Sequence, residues 1–149
     1  MIRIQTEDFD VGEEYSRLRG SSENSSGAIV TFCGLVRDLE KNNKITALHL
    51  EHYPSMTEKA LEDISKEAYS RWPLNDISII HRVGELKVSD QIVFVGTSSA
   101  HRIAAFEACE FLMDYLKTKA PFWKKAITAS SSEWIEAKKS DDDAAKRWK

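Results

Sequence analysis

Basic side chains next to a predicted helix start could bind an anion. Ser98, Ser99 and Ala100 lead from a predicted strand into His101 and Arg102, where a helix is predicted to begin. Backbone N–H groups are free at a helix start, and the helix dipole makes that end positive. Two basic side chains there are unfavourable for the helix, which favours a role in binding. An exposed pair without a ligand is the alternative.

A second basic segment covers residues 117–125, KTKAPFWKK, with four lysines and no acid. Such local repulsion is tolerated where an anion binds or where solvent screens the charges. Lys117 falls in the last turn of a predicted helix, where a cation also suits the dipole, whereas Lys124 has no such structural explanation. Phe122 and Trp123 could stack on a heterocycle or belong to the core of a strand.

The remaining candidates for chemistry are isolated. Arg37 follows a predicted strand and is a third possible anion ligand. His49 and His52 could suggest a metal, but they fit ordinary positions along a strand better, so no metal site is predicted. His81 is expected near the surface of a sheet.

Covalent catalysis by the chain's own side chains is not indicated. The sequence lacks a glycine-rich phosphate loop and a G-x-S-x-G nucleophile elbow. Cys33 has no neighbouring base, and both Cys33 and Cys109 are expected to be reduced, buried thiols. If the chain is an enzyme, the transferred group must come from another molecule, and no cofactor is expected.

Length and composition favour one domain over residues 1–149. The chain has 149 residues, 42% of them hydrophobic and 30% charged, which suits one core. A net charge of −3 argues against a general nucleic-acid binder. The longest stretch free of Asp, Glu, Lys, Arg and His, 24–36, is shorter than the roughly 20 residues of a membrane span. Glu7 and Asp8 stand where a signal peptide would be apolar, so a cytoplasmic location is expected.

Periodicity and breaker residues predict the elements that carry these side chains. Pro54 can begin a helix that Trp72 and Pro73 end, and Pro121 ends another near Thr118. The latter helix is apolar apart from one stripe of ionisable residues, so it is expected to be buried in the core or against a second copy. Strands are predicted at 2–5, 27–36, 44–53, 76–83, 91–97, 122–128 and 133–137, and helices at 10–18, 54–72, 100–118 and from about 140 to the terminus.

Four segments in linear order resemble the MoaE family, the large, catalytic subunits of molybdopterin synthase. They are LEHYPSMTEKAL at 50–61, IHRVGEL at 80–86, SAHR at 99–102 and MDYLKTKAPFWKK at 113–125. The resemblance runs from about Phe9 to Trp148. It implies an α/β (α+β) fold of the hammerhead type, with a mixed, mainly antiparallel sheet and an additional small β subdomain.

The resemblance also implies an activity and its partners. The family transfers two sulfurs to cyclic pyranopterin monophosphate (precursor Z) and so forms the dithiolene of molybdopterin, a sulfurtransferase reaction in molybdenum cofactor biosynthesis. The donor is a small ubiquitin-like carrier, a MoaD-like subunit whose C-terminal Gly-Gly ends as a thiocarboxylate. Two large subunits pair at the centre of a heterotetramer, with one carrier on each side.

By position, the resemblance assigns roles to the basic residues found above. Lys117 and Lys124 correspond to the family's catalytic lysines, which also contact substrate. Arg37, His101 and Arg102 correspond to its substrate ligands, the last two reaching the cavity from the opposite subunit. Two further residues are candidates for the mouth of the cavity, Lys138 and Arg147.

Two other functions remain open from the residues alone. A non-catalytic adaptor could use the basic groove to bind an acidic protein tail. A weak single-stranded RNA binder could stack bases on Phe122 and Trp123, although the acidic total argues against it.

Overall fold

A computed structural model describes residues 1–21, 24–37, 45–128, 132–135 and 139–149. In chain order, the elements are β1 (Ile2–Gln5), α1 (Val11–Gly20), β2 (Ala28–Leu35), β3 (Ile45–His52), α2 (Pro54–Arg71), β4 (Leu74–Arg82), β5 (Gly84–Lys87), β6 (Gln91–Ser99), α3 (Arg102–Lys119), β7 (Phe122–Thr128), β8 (Ser132–Ile135) and α4 (Lys139–Lys146).

The first sheet has the strand order β1-β4-β6-β2. Strand β1 runs parallel to β4, whereas β4 and β2 both pair with β6 in antiparallel register. This confirms the mixed, mainly antiparallel sheet that the family resemblance implies. The predicted strands at 76–83 and 91–97 correspond to β4 and β6, which pair with each other.

The second sheet has the order β5-β3-β7-β8 and is antiparallel throughout. It corresponds to the additional small β subdomain that the family resemblance implies. Strand β5 is new, since the prediction treated residues 84–90 as a connection. Gly84 at its start has a φ of 89°, a conformation that glycine adopts without strain. The chain therefore turns there from the first sheet into the second.

Two apolar layers cover the first sheet. On one face, Phe9 and Leu18 from the α1 region pack on Ile80 and Phe94. Asp10 begins α1 by accepting a hydrogen bond from the Glu13 backbone N–H at 3.0 Å. The larger core lies on the other face, where α2, α3 and the second sheet pack together.

Helix α3 is buried on one side and open on another. Phe111, Leu112 and their neighbours are inaccessible, whereas Ile103 and Phe106 are 64% and 60% exposed. The predicted burial of α3 is therefore correct for the core side, and an apolar face remains open in the single chain. Among the helices of the described ranges, none is long and apolar enough to cross a membrane.

Candidate active site

A cavity of about 420 Å³ lies where β2, β4, α3 and β7 meet. Its volume falls within the range of roughly 300–1,000 Å³ that small-molecule sites occupy. Its apolar wall includes Leu48, Ile92 and Phe122. The two sheets and the C-terminal end of α3 thus enclose a space that a heterocycle would fit.

Three of the predicted site residues line this cavity, namely Arg37, Lys117 and Lys124. They come from the end of β2, the last turn of α3 and the middle of β7. In β7, Lys124 is in register with Leu50 of β3, which fixes its side of the sheet. Helix α3 ends at Lys119 because Ala120, before Pro121, is extended.

His101 and Arg102 lie at the opposite end of α3 and are both exposed. His101 is the N-cap residue of the helix, and its side chain makes no capping hydrogen bond. At 1.5 Å per residue, the helix separates His101 from Lys117 by roughly 24 Å. Within one chain, these two residues therefore do not join the cavity.

Of the two residues predicted for the mouth, Lys138 lies outside the described residues. Arg147 forms ion pairs with Glu110 at 2.5 Å and Asp114 at 2.9 Å on α3. Hydrogen bonds to these two carboxylates raise the pKa of the Arg147 guanidinium. Helix α4 instead contributes Asp141 to the lining, a residue that the sequence did not single out.

His81 is the main residue of the site that sequence reasoning missed. It lines the cavity and is only 3% exposed, so its expected place near the sheet surface is wrong. Its ring stacks on Phe122 with centroids 3.8 Å apart. Burial, opposed by a hydrogen bond to Arg82 and reinforced by the charges of Lys124 and Lys117, lowers the pKa of His81 to about 3.

A signal for this burial exists in the alternation along β4. Ile77 and Ile79 belong to the larger core, and His81 follows them at the spacing of two that places side chains on one face. Ile80, between them, belongs to the core on the opposite face. Strand β4 lies between β1 and β6, and one apolar layer covers each of its faces, so its side chains are buried on both faces.

Cys33 also lines the cavity, half-buried where full burial was expected. Its thiol donates a hydrogen bond to the Gln91 side-chain oxygen at 3.4 Å. Burial and the charge of Asp8 raise the pKa of Cys33, so the nucleophilic thiolate form is disfavoured. Cys109 is buried in the core as expected.

The remaining candidates from the sequence, His49, His52 and Trp123, do not form one common site. His49 pairs with Glu51 at 3.3 Å, and His52 stacks on Phe122 at 6.3 Å. No group of three potential metal ligands occurs in the part of the chain that the structure describes. Trp123 is exposed and packs edge-on against Tyr53 at 4.8 Å, so it does not share the position of Phe122 in the cavity wall.

Comparisons with known proteins identify the family to which the chain is similar. The family model described as MoaE protein matches residues 4–119. The molybdopterin synthase catalytic subunit of Vibrio cholerae is 54% identical over 147 residues, which cover 99% of this chain and 97% of that protein.

Two solved structures have the same fold. The molybdopterin biosynthesis MoaE protein of Burkholderia ambifaria superimposes with a TM-score of 0.85 at 52% identity, over 99% of this chain and 97% of that one. A complex of subunits 1 and 2 of the molybdopterin-converting factor of Helicobacter pylori gives a TM-score of 0.76 at 20% identity, over 91% and 90%. The chain belongs to the MoaE family, the family of molybdopterin synthase catalytic subunits.

Proposed function

We propose that the 420 Å³ cavity is the site where this chain, as the catalytic subunit of molybdopterin synthase, transfers sulfur to cyclic pyranopterin monophosphate. One observation carries the assignment of the site. Arg37, Lys117 and Lys124 are far apart in the sequence and line the same cavity in a chain of this family.

The cations suit the charges of the reactants. Arg37 can bind the cyclic phosphate through its planar guanidinium, which matches phosphate oxygens. Lys117, as an ammonium, stabilises the oxyanion formed when the carrier's thioacyl carbon is attacked or later hydrolysed. Lys124 either orients the pterin or supplies a proton, two roles that variants can separate.

The sulfur comes from outside the chain in this proposal. The donor is the C-terminal thiocarboxylate of a small ubiquitin-like carrier, whose tail enters the cavity. Cys33 lines that cavity but favours its protonated form, which supports an external sulfur source. The Helicobacter pylori structure is a complex of two subunits, and we propose a corresponding complex for this chain.

A second copy of the chain completes the site in this proposal. His101 and Arg102 are exposed at one end of α3, beside the exposed apolar residues Ile103 and Phe106. Packing that apolar face against a partner would remove it from water and could bring both basic residues to the partner's cavity. Two copies and two carriers then form a heterotetramer.

The mouth of the cavity is proposed to include Lys138 and Arg147. Support comes from α4, which supplies Asp141 to the lining and is followed directly by Arg147. Arg147 acts there chiefly by holding α4 to α3 through Glu110 and Asp114.

We further propose that residues 1–149 act as one domain in the cytoplasm. Leu50 of the second sheet shares a core with Ile79 and Val95 of the first, which supports one folding unit. Both cysteines are free thiols, as a reducing compartment would keep them.

Mass spectrometry of a defined reaction tests the function. The chain, thiocarboxylated carrier and precursor Z should give a product that has gained two sulfurs. Carrier binding without turnover would instead support a non-catalytic adaptor. Tight, strongly salt-dependent binding of single-stranded RNA without turnover would support the nucleic-acid alternative.

Paired lysine variants test the site. Lys117→Ala and Lys124→Ala should each lower turnover by roughly 10²-fold or more, the scale of losing one preorganised charge. Lys125→Ala is the matched control, because Lys125 is next to Lys124 but lies over Trp134 at 5.4 Å. Retained turnover in Lys117→Ala would remove that residue from the mechanism.

A further inference from the structure

His81 brings an uncharged ring into a cavity otherwise dominated by cations. It is 3% exposed and lies at the junction of the sheets, where Phe122 of β7 stacks on it at an interplanar angle of 16°. The ring also lies among Lys117, Lys124 and His52, each of which disfavours a further positive charge there. A buried imidazole in these surroundings stays neutral at the pH of an ordinary assay.

The hydrogen bond of the ring fixes its tautomer. Nδ1 lies 2.8 Å from the backbone carbonyl oxygen of Arg82, and a carbonyl can only accept. Nδ1 therefore carries the proton of the neutral ring. Nε2 is left with a lone pair and can act only as an acceptor.

Hydrogen-bond acceptors are scarce among the side chains that line this cavity. The side chains of Arg37, Lys117 and Lys124 carry only donors, so they suit phosphate and oxyanion groups but cannot receive an N–H. Among the side chains lining the described part of the cavity, strong acceptors are limited to the imidazole of His81 and the carboxylate of Asp141. A planar ligand with amide-type N–H groups needs such a partner, since a buried unpaired donor is costly.

We propose, resting on the function proposed above, that His81 is a ligand-binding residue of this cavity whose Nε2 accepts a hydrogen bond from an amide-type N–H of the bound reactants. That N–H belongs to the pterin ring or to the backbone of the carrier's Gly-Gly tail. Both sources offer the same chemistry, and the kinetics distinguish them.

Three variants separate this role from a structural one. His81→Gln keeps an acceptor at about the position of Nε2. His81→Asn keeps a donor near Nδ1 for the Arg82 carbonyl but does not reach the position of Nε2. His81→Phe keeps an aromatic ring against Phe122 and has no polar atom.

Steady-state kinetics with the carrier and precursor Z varied in turn give the readout. His81→Asn and His81→Phe should raise the KM of one reactant about tenfold, the scale of one lost hydrogen bond. His81→Gln should stay within about threefold of the original chain. A higher KM for precursor Z assigns the N–H to the pterin, whereas a higher KM for the carrier assigns it to the tail.

Other results would overturn the assignment. If His81→Asn retains both KM values, or if only kcat falls in all three variants, His81 does not bind a reactant through Nε2. If His81→Gln does not fold, the two KM values of His81→Phe, measured on protein with a normal circular dichroism spectrum, decide the matter. Absent turnover in the unsubstituted chain refutes the proposed function itself, which is a separate outcome.

Discussion

Burial of His81 predicts a specific loss of stability in mild acid. The pKa of this side chain is about 3 in the folded chain, against 6.5 for an ordinary histidine. Between these values the unfolded chain binds a proton that the folded chain does not, so the free energy of unfolding falls as the pH falls. Each pH unit below 6.5 removes about 1.4 kcal/mol, or about 2 kcal/mol by pH 5.

Urea unfolding of the original chain and of His81→Gln at pH 7 and pH 5 isolates this contribution. Glutamine does not titrate, so the original chain should lose about 2 kcal/mol more than the variant over this interval. That corresponds to a shift of roughly 1 M in the urea midpoint. Protein concentration must stay fixed, since association would add its own stabilisation.

A core variant in the same strand controls for general weakening. Ile80→Val removes one methyl group from the opposite face of β4 and should cost about 1 kcal/mol equally at both pH values. Equal pH dependence in the original chain and His81→Gln would refute the reasoning. It would mean that His81 accepts a proton in the folded chain despite Lys117, Lys124 and His52 around it.

Three further predictions concern packing and thiol reactivity. A Cβ at Gly96 would lie 2.4 Å from Cδ1 of Leu18, so Gly96→Ala should lower the free energy of unfolding by about 1–3 kcal/mol in urea titrations. Thr57 donates a hydrogen bond to the Pro121 carbonyl at 3.0 Å from full burial, so Thr57→Val should lower the melting temperature, at a cost of about 1–2 kcal/mol. Burial raises the pKa of Cys109 to about 12, so peptide mapping should find its alkylation by iodoacetamide slow until urea unfolds the chain.

Each of these three has a matched comparison. Gly20→Ala meets no atom within 4 Å and should leave stability unchanged or higher. Thr57→Ser keeps the hydroxyl and should cost less than Thr57→Val. Half-buried Cys33 is the comparison for Cys109 and should be alkylated first. Alkylation of Cys109 as fast as that of Cys33 in the folded chain would contradict the burial of Cys109.

The sequence predicted most helices and strands because their boundaries depend on local chemistry. Pro54 begins α2, and the extended residue before Pro121 ends α3. The four-residue strand β5 was missed because it is short and because its partner β3, in the same second sheet, is distant in the sequence. A pairing between segments about 35 residues apart leaves no signal in four residues.

Burial was harder to predict than secondary structure. Helix α2 illustrates this, because Met56 near its start is 62% exposed whereas Leu61 is fully buried. The direction from which the core covers a helix depends on distant elements, here α3 and the sheets. The burial of His81 was missed for the same reason, because Phe122, which covers its ring, comes some 40 residues later in the chain.

The site shows the same division between local and distant information. Composition identified Lys117 and Lys124 as an unexplained concentration of charge, and the family resemblance assigned them a role. The sequence also places His101 and Arg102 at the start of α3 and Lys117 in its last turn. That Arg37 joins Lys117 and Lys124 in one cavity follows only from the packing of β2, α3 and β7.

The chemistry of the cavity explains why a costly neutral histidine can be maintained. A site for two anionic reactants needs cations, but each further charge in a confined, poorly solvated space raises the repulsion among those already present. A buried imidazole contributes a directional acceptor without adding charge, provided that its surroundings keep it neutral. Burial does most to lower the pKa of His81, and the charges of Lys124 and Lys117 lower it further, so the residues proposed to bind the anions also help to maintain the acceptor. Removing either lysine should therefore raise the pKa of His81 as well as lower turnover, a coupling that NMR titration of the imidazole would detect.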